Sequence, residues 1–445
     1  MTDLDPALLN SADGQLAYDL DRAHVFHSWS AQGALNPLVI AGGLGSEVWD
    51  FEGKRYLDFS SQMVNTNLGH QHPAVVAAIK AQADVLATVA PSHANLARGE
   101  AARRILSKAG PQFGKVFFTN GGADAVENAI RMARLTTGRD KVLSTYRSYH
   151  GNTGAAIVAT GDWRRVPNEY ARGHVHFFGP FLYRSEFWAQ TPEQESERAL
   201  HHLERVIVSE GASSIAAILL ESVPGTAGIL VPPPGYLEGV RALCDKYGIL
   251  WIADEVMCGF GRTGEWFAWQ HWDAIPDLIT FAKGVNSGYV PIGGVVISES
   301  IANVFDDQVF PGGLTYSGHP LAAASIVGAL DAMDDEGVIE HAAMIGREHL
   351  QPGLEALAAR HPLIGEVRGL GVFWALDLVD DPESRQPVSM GVTLELKKAL
   401  MQRGLLPFLG ETRIHVTPPC NVSAEDVARA LEIYDEAFTA VEAGL

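Results

Sequence analysis

The stretch WIADEVMCGFGRTGEW, residues 251–266, places an apolar run, a carboxylate and a glycine-rich segment in immediate succession. As a bare pattern, Gly259-x-Gly261-x-x-Gly264 is a dinucleotide-binding fingerprint. Such a fingerprint holds a pyrophosphate only where it leads directly from a strand into the N-terminus of a helix. Here Gly264 is followed by Glu-Trp-Phe-Ala-Trp, which is not the start of an amphipathic helix. The stretch therefore disfavours NAD as the cofactor.

The apolar residues 249–253 predict a buried strand that ends at Asp254. They form a short, unalternated run, as expected of a strand covered on both faces. Comparable runs occur at Val116–Phe118, Lys141–Leu143, Ala216–Leu220, Leu278–Phe281 and Val295–Ile297. Between them, apolar residues at three- and four-residue spacing predict helices at Ala125–Leu135, Ala199–Ser209 and Tyr236–Tyr247. This alternation predicts an α/β fold with a mostly parallel sheet, in a large domain over residues 61–324.

The two ends of the chain differ from this middle part. Residues 45–60, GSEVWDFEGKRYLDFS, predict two short strands around a turn at Glu52-Gly53. After residue 324 the sequence alternates helical patterns with polar loops and carries two strand-like pieces, Gly371–Leu378 and Arg413–Val416. We expect residues 1–60 and 325–445 to form one smaller α+β domain together, with clefts where it meets the large domain.

Composition excludes several classes of partner. Of 445 residues, 47% are hydrophobic and 19% charged, and no apolar run approaches the roughly 18 residues that cross a bilayer. The formal charge of −20 disfavours nucleic acid and anionic membranes as partners. The first 21 residues are acidic and lack the basic start and apolar core of a signal peptide. We therefore expect a cytoplasmic enzyme.

The cysteines and histidines do not predict a metal site. Cys244, Cys258 and Cys420 are far apart and include no C-x-x-C motif, so we expect buried free thiols rather than disulfides. His70 and His72 are close together, but no carboxylate or cysteine stands near them in the sequence to complete a site.

Two predicted strand ends place an acid and an amine at one edge of the sheet. Asp254 ends the run discussed above, and Lys283 follows the run Leu278–Phe281. In open α/β sheets the carboxyl ends of the strands face the ligand crevice. The segment between Asp254 and Lys283 is long enough to connect two neighbouring strands, so the two side chains can converge. A purely structural ion pair is the alternative.

Two further segments predict parts of the same site. Residues 117–134, FFTNGGADAVENAIRMAR, lead from a strand through a small-residue turn into a helix, where free backbone N–H groups bind anions. In STYRSYHGNTG, residues 144–154, Tyr149 follows another strand and is placed to stack on a flat ring. Each segment alone is also compatible with ordinary packing.

A phosphate cradle, a stacking aromatic ring, a carboxylate and a lysine are the parts of a pyridoxal phosphate site. With these residues the chain resembles the class III pyridoxal-phosphate-dependent aminotransferases of fold type I, in particular the ω-amino acid, amine:pyruvate or taurine:pyruvate group. The resemblance runs from about Trp49 to Pro419 through LDFSSQMVNTNLGHQHP, FFTNGGADAVENAIRMAR, SYHGNTGAA, ILLESVPGTAGILVPPPGYL, WIADEVMCGFGRTG, FAKGVNSGYVPIGGV and LTYSGHPLAAA. It implies that Gly259–Gly264 belong to the family's signature loop.

The resemblance also implies roles for matching residues. Lys283 would form the Schiff base with the cofactor aldehyde and move the proton between substrate and cofactor, while Asp254 would pair with the pyridine nitrogen. The other implied cofactor contacts are the backbone of Gly121, Gly122 and Ala123 for the phosphate, Tyr149 and His150 at the ring, Val256 on its opposite face, and Glu221 near its hydroxyl edge.

Partners and substrates follow from the same resemblance. Thr315 resembles a threonine that reaches the phosphate in the neighbouring subunit, which implies a homodimer with active sites at the interface; a tetramer is the alternative. The implied reaction is ping-pong transfer of an amino group from an ω-amino acid or primary amine to a keto acid, pyruvate above all. A lyase or an aminomutase using Lys283 and Asp254 stays open. A pyridoxal-phosphate-binding regulator lacks support, because the acidic N-terminus has no basic DNA-binding motif.

Four residues bear on the identity and binding of the donor. Val64 stands where amine:pyruvate relatives often have tryptophan, which weakens the case for aryl amines. An acid group on the substrate needs a cation, and Arg413, upstream of a Pro-Pro pair, is the first choice. His415 shares its strand face and is the alternative. Tyr149 is expected to contact the substrate as well as the cofactor.

Overall fold

The computed structural model describes residues 11–444. The strands are β1 (Ile40–Leu44), β2 (Glu47–Asp50), β3 (Arg55–Asp58), β4 (Phe113–Thr119), β5 (Lys141–Thr145), β6 (His174–Phe177), β7 (Ile215–Glu221), β8 (Leu250–Asp254), β9 (Leu278–Phe281), β10 (Gly293–Ser298), β11 (Ile364–Leu370), β12 (Phe373–Asp381), β13 (Gln386–Pro387), β14 (Leu405–Leu406), β15 (Phe408–Gly410) and β16 (Arg413–Val416).

The helices alternate with these strands through the middle of the chain. They are α1 (Ser11–His24), α2 (Ser61–Val64), α3 (Pro73–Val85), α4 (Leu96–Ala109), α5 (Gly122–Thr137), α6 (Gly154–Ala159), α7 (Pro192–Glu210), α8 (Tyr236–Tyr247), α9 (Glu299–Val304), α10 (Pro320–Asp335), α11 (Val338–Ile345), α12 (Gln351–Arg360), α13 (Met390–Gln402) and α14 (Ala424–Glu442).

The central sheet has the order β4-β10-β9-β8-β7-β5-β6. Neighbours from β9 to β6 are parallel, and β10 runs antiparallel to both β9 and β4. Every residue of β7, β9 and β10 is buried, which explains their continuous apolar sequence. The predicted α/β fold with a mostly parallel sheet is therefore confirmed.

Helix α5 shows how the sequence positions the site. Ala125, Ala129 and Ala133 are fully buried and recur every four residues, so they form a narrow face that packs closely against the sheet. The helix ends at Gly138, whose φ of 66° is the left-handed conformation common at helix C-termini. Its N-terminus is thereby held at the carboxyl edge of the sheet.

The two ends of the chain meet in one small sheet. β14 pairs in parallel with β3 in the order β1-β2-β3-β14, while β11, β12, β16 and β15 form a second antiparallel sheet. The predicted hairpin at residues 45–60 is present as β2 and β3. Helix α10 runs without interruption through residue 324. The division of the chain at residues 60 and 324 stays a prediction.

Two observations concern expectations from composition. Within residues 11–444, none of the helices combines the length and apolar character needed to cross a bilayer. Cys244, Cys258 and Cys420 are buried free thiols, as predicted. Burial raises the pKa of each thiol, which keeps all three protonated and weakly reactive.

Candidate active site

The carboxyl ends of three neighbouring strands bring the predicted acid and amine together. Glu221 at the end of β7 is the register partner of Asp254 at the end of β8, and Asp254 is paired with Thr280 of β9. Glu221, Asp254 and Lys283 line one cavity of about 610 Å³, partly open to solvent. Tyr149, His150 and the start of α5 complete its wall.

Asp254 is almost completely buried, and its carboxylate is fixed by three groups. Oδ1 accepts hydrogen bonds from the Thr280 hydroxyl at 3.0 Å and from the Val256 N–H at 3.1 Å. Oδ2 lies 2.7 Å from Nδ1 of His150. Nε2 of His150 is buried and has no partner within residues 11–444. A carboxylate held in this way is oriented to receive a positively charged ring nitrogen.

Lys283 combines a strained backbone with a weakened affinity for protons. Its φ of 46° is unusual for a residue with a side chain, and such conformations persist where surrounding contacts enforce them. Burial lowers the pKa of Lys283, although the carboxylates of Glu221 and Asp254 act in the opposite direction. A lowered pKa increases the neutral amine fraction, which is the nucleophilic form.

Glu221 is a second buried carboxyl group in the cavity. Its Oε1 accepts a hydrogen bond from the Tyr149 N–H at 3.1 Å, and its Oε2 accepts one from the Gly225 N–H at 2.8 Å. Burial, and secondarily the nearby charge of Asp254, raises the pKa of Glu221 to about 6. Glu221 therefore changes protonation state close to neutral pH.

The N-terminus of α5 is built to receive an anion. Gly121 precedes the helix and provides no side-chain cap, so the first N–H groups of the helix have no side-chain acceptor from this position. A Cβ on Gly122 would lie 2.8 Å from Cγ1 of Val256, so a larger residue there would require the valine or the helix start to shift. Ala123 also lines the cavity.

Tyr149 lines this cavity and contacts two side chains that line a larger outer one. The guanidinium carbon of Arg164 lies 3.8 Å from the centroid of the Tyr149 ring, and Trp29 packs edge-on against Tyr149 at 6.4 Å. Arg164 therefore covers the face of the Tyr149 ring that is turned towards the outer cavity and holds the ring in place. Burial raises the pKa of its hydroxyl.

The outer cavity, of about 1160 Å³, contains the predicted substrate arginine. Arg413, His415, Arg164 and Met63 line it, and Thr226 lines both cavities, which are therefore adjacent. The Arg413 side chain is 13% exposed, and its Nη2 lies 3.3 Å from the exposed Glu411 carboxylate. Nε of Arg413 is buried and has no partner within residues 11–444. Arg413 therefore has donor capacity left for a ligand.

His415 is placed beside Arg413 but differs from it in charge. The side chain is fully buried, and both ring nitrogens lack a hydrogen-bond partner within residues 11–444. Burial and the neighbouring Arg413 charge lower the pKa of His415 to about 3. At neutral pH it is uncharged, which favours Arg413 over His415 as the cation for an acid group.

Val64 and Thr315 line neither the inner nor the outer cavity. Val64 is buried, with a φ of 57°, in a cluster with Val223 and Met257, and is not among the residues lining the inner or the outer cavity. Thr315 is exposed and does not line the inner cavity of its own chain. The substrate role of Val64 and the intersubunit role of Thr315 stay predictions.

The histidine pair has separate structural partners. Nε2 of His70 lies 2.8 Å from the buried carboxylate of Asp58, and Nε2 of His72 lies 3.0 Å from Glu336. Asp58 lies at the end of β3, on another element than His70. Glu336 is distant in sequence from His72. The two rings therefore do not converge on a common ligand.

Arg164 was not identified from the sequence. It lies in a short 3-10 helix (Trp163–Asn168) in the segment after α6, where the N-cap residue Asp162 accepts hydrogen bonds from its backbone N–H at 2.9 Å and from its Nε at about 3 Å. The spacing Asp-x-Arg is a local signal for such a pair. Nothing in the sequence shows, however, that the loop folds over Tyr149.

The chain belongs to the class III aminotransferases, since the profile of the family Aminotransferase class-III matches residues 29–438. It is 32% identical to the taurine–pyruvate aminotransferase of Bilophila wadsworthia over 95% of this chain and 97% of that protein. It is 33% identical to the 4-aminobutyrate aminotransferase of Escherichia coli (strain K12), over 91% and 94% of the two chains.

A solved structure agrees with this assignment. The taurine:2-oxoglutarate aminotransferase of Bifidobacterium kashiwanohense, in complex with pyridoxal phosphate and glutamate, superposes with a TM-score of 0.94 at 44% identity, over 97% of this chain and 99% of that one. The protein is therefore an aminotransferase of fold type I whose cofactor is pyridoxal 5'-phosphate. The resemblance stated from the sequence is confirmed.

Proposed function

We propose that this protein transfers the amino group of a short ω-amino acid, with a sulfonate or carboxylate at its other end, to pyruvate. The observation that carries the proposal is the pair Arg164 and Arg413 on the outer cavity, next to the cavity of Lys283. Relatives named for taurine and 4-aminobutyrate support an acidic donor. A relative named for 2-oxoglutarate makes that keto acid the acceptor to compare with pyruvate.

The inner cavity fits the cofactor. The uncapped N-terminus of α5 with Gly121, Gly122 and Ala123 suits the phosphate, and the fixed carboxylate of Asp254 suits the pyridine nitrogen. Tyr149 and Val256 would contact the two faces of the ring, His150 would support Asp254 and Glu221 would face the hydroxyl edge.

Bound pyridoxal phosphate supplies an electron sink for the carbon that carries the amino group. In our proposal Lys283 would hold the cofactor covalently at rest. When the substrate amine takes its place, the bond to Nζ would break, and the freed Nζ would remove the proton from that carbon and return a proton during the same half-reaction. Asp254 keeps the proton on the pyridine nitrogen by its negative charge. The two half-reactions share one site, so we expect ping-pong kinetics.

The two arginines would bind the acid group of the substrate. Arg164 is already oriented by Asp162, and a guanidinium fixed in this way binds carboxylate or sulfonate oxygens with little further loss of side-chain freedom. Arg413 retains an unused buried donor. A donor with both an amine and an acid group would therefore span from the inner to the outer cavity.

The test compares donors that differ only in the acid group. Taurine, β-alanine and propylamine are each supplied with pyruvate, and alanine formation is measured for the wild-type protein and Arg413→Ala. We expect Arg413→Ala to lower kcat/KM for the two acidic donors by about 10- to 100-fold, the loss of a charge-assisted contact. Its effect on propylamine should be small. Equal losses on all three donors would show that Arg413 acts on structure.

The same reactions separate the alternatives within the fold. A lyase would release ammonia without pyruvate, and an aminomutase would return the nitrogen to the carbon skeleton it came from. Release of ammonia from taurine in the absence of a keto acid would therefore contradict our proposal. We further propose the homodimer as the active unit and the cytoplasm as its location.

A further inference from the structure

Arg262 is an arginine buried without a carboxylate partner. It is fully inaccessible to solvent and forms no ion pair with the carboxylates of residues 11–444. Its Nη1 donates to the carbonyl oxygens of Pro418 and, at 3.4 Å, Val372. Its Nη2 donates to Oδ1 of Asn67 at 2.7 Å and to the Ser61 hydroxyl at 3.4 Å. The buried Asp58 carboxylate attracts the Arg262 charge without a direct ion pair, and burying a charge in this way is costly.

Arg262 connects the loop after β8 to both ends of the chain. Asn67 and Ser61 belong to the segment that follows β3, and Val372 and Pro418 flank β12 and β16. The segment after β3 contains consecutive residues with positive φ, Ser61 at 43° and Gln62 at 59°. Such a backbone is held by its contacts rather than by local preference.

Asn67 extends this connection to the residue after Lys283. Nδ2 of Asn67 donates to the Phe260 carbonyl at 2.8 Å, and it would lie 2.3 Å from a Cβ placed on Gly284. The Asn67 side chain therefore packs closely against the backbone of the turn that begins at Lys283. The Ser287 hydroxyl, later in this turn, accepts a hydrogen bond from the Leu68 N–H at 2.9 Å.

We propose that Arg262 is a positioning residue for Lys283: through Asn67 it fixes the turn that carries the lysine, and its positive charge acts on the amine. This inference rests on the function proposed above for Lys283. Arg262 contacts neither substrate nor cofactor in this proposal. Its effect reaches the reaction through the place and the protonation of the lysine.

The electrostatic part has a definite sign. The charged and titratable groups around the lysine are Glu221 from β7, Asp254 from β8 with its neighbour His150, and Cys258 and Arg262 from the loop after β8. The two carboxylates favour the protonated amine, whereas Arg262 disfavours it. Loss of the Arg262 charge should therefore move the pH needed for imine formation upward.

The experiment uses Arg262→Lys, Arg262→Met and Asn67→Ala in the full chain. Arg139→Lys is the matched control. Arg139 also donates to carbonyl oxygens, those of Ala212, Ile215, Tyr247 and Gly248. It lies far from the cavity, at the edge of the sheet where β5, β7 and β8 begin. Each cofactor-free protein is mixed with pyridoxal phosphate at a series of pH values, and the adduct on Lys283 is trapped with borohydride and quantified by mass. Melting temperature, kcat and KM are measured alongside.

The variants separate the two contributions. Arg262→Met should raise the pH midpoint of adduct formation and lower kcat by about 10- to 100-fold, with KM little changed. Arg262→Lys keeps the charge, so its midpoint should stay near that of the wild type while kcat falls. Asn67→Ala should behave like Arg262→Lys, and Arg139→Lys should change neither quantity.

Unchanged kcat in folded Asn67→Ala, or an unchanged midpoint and kcat in Arg262→Met, would overturn the inference. If Arg262→Met does not fold, the kcat of Asn67→Ala and Arg262→Lys decides the positioning role. A wild-type protein that forms no adduct on Lys283 at any pH would instead overturn the proposed function, and the inference with it.

Discussion

At the scale of single residues, Asp254 gives the first prediction. Because three groups fix the Asp254 side chain in place, a substitution by asparagine tests the loss of its negative charge rather than a change in its orientation. Asp254→Asn should still form the covalent adduct on Lys283, because the phosphate and ring contacts remain. We expect kcat to fall by about 100-fold or more, since the positive ring nitrogen loses its partner. The measurement is a single-turnover rate with taurine, followed by absorbance.

Thr280→Val is the graded control for this prediction. It removes one hydrogen bond to Asp254 but leaves the charge, so kcat should fall by less than about 10-fold. Near-normal turnover of Asp254→Asn, or losses of equal size in the two variants, would contradict the assigned role.

Glu221 predicts a pH dependence of stability. Its pKa is raised from 4.5 to about 6 in the folded protein, so the folded chain holds the proton more tightly than the unfolded chain. The resulting stability is complete below about pH 4.5 and is lost as the pH rises through about 6. The free energy of unfolding of the cofactor-free protein should therefore lose about 2 kcal/mol over this window, and Glu221→Gln should lack this loss.

The comparison is made by urea unfolding of both cofactor-free proteins at pH 4.5 and pH 7. Other groups titrate in the same range, but they are common to the two proteins and cancel in the difference. Parallel changes in wild type and Glu221→Gln would show that Glu221 ionises in the folded protein as easily as in the unfolded chain.

At the scale of elements, the N-terminus of α5 makes a steric prediction. Gly122→Ala would place a methyl group 2.8 Å from Val256, so either the helix start or the valine must shift. We expect the dissociation constant for pyridoxal phosphate to rise about 10-fold or more, because both groups line the cavity. Equilibrium dialysis measures it directly.

Gly99→Ala is the matched control within a helix. No atom lies within 4 Å of a Cβ placed on Gly99 in α4. Alanine there should leave cofactor affinity unchanged and add up to about 1 kcal/mol to the free energy of unfolding. An unchanged dissociation constant in Gly122→Ala would show that the helix start tolerates the shift.

The elements that carry the site were the ones most readily predicted. β7, β8 and β9 are buried on both faces and therefore have continuous apolar sequences, and the residues after them fall at one edge because parallel strands end together. β6 was not predicted, since its sequence His-Val-His-Phe alternates polar and apolar residues over only four positions. The sequence of β10 does not indicate that this strand runs antiparallel to its neighbours.

Contacts made by loops could not be predicted in the same way. Arg164 reaches Tyr149 only because the loop after α6 folds back over it, and no periodicity encodes that path. Arg262 lies inside the glycine-rich stretch Gly259–Gly264. Its partners Asn67 and Pro418 are nevertheless almost 200 and more than 150 positions away. Such contacts depend on tertiary packing of distant segments.

At the scale of the whole molecule, the segments around Thr315 carry exposed apolar side chains. Val309, Tyr316 and Leu96 are exposed apolar side chains, and Arg98 joins their segments by donating to the carbonyl oxygens of Gly318 and His93. Clustered exposed apolar groups indicate an interface. This agrees with the proposed homodimer, in which Thr315 would act on the partner's phosphate site.

Subunit complementation tests that arrangement. Thr315→Ala should weaken cofactor binding in the homodimer, and Lys283→Ala should form no reducible adduct at all. In a mixed dimer, the intact Lys283 of the first variant would be served by Thr315 of the second. At a cofactor concentration too low to load the Thr315→Ala homodimer, mixing and reassembling the two variants should therefore restore adduct on up to half of the sites in each mixed dimer. Adduct that stays at the level of the unmixed variants would mean that Thr315 acts within its own chain or not at all.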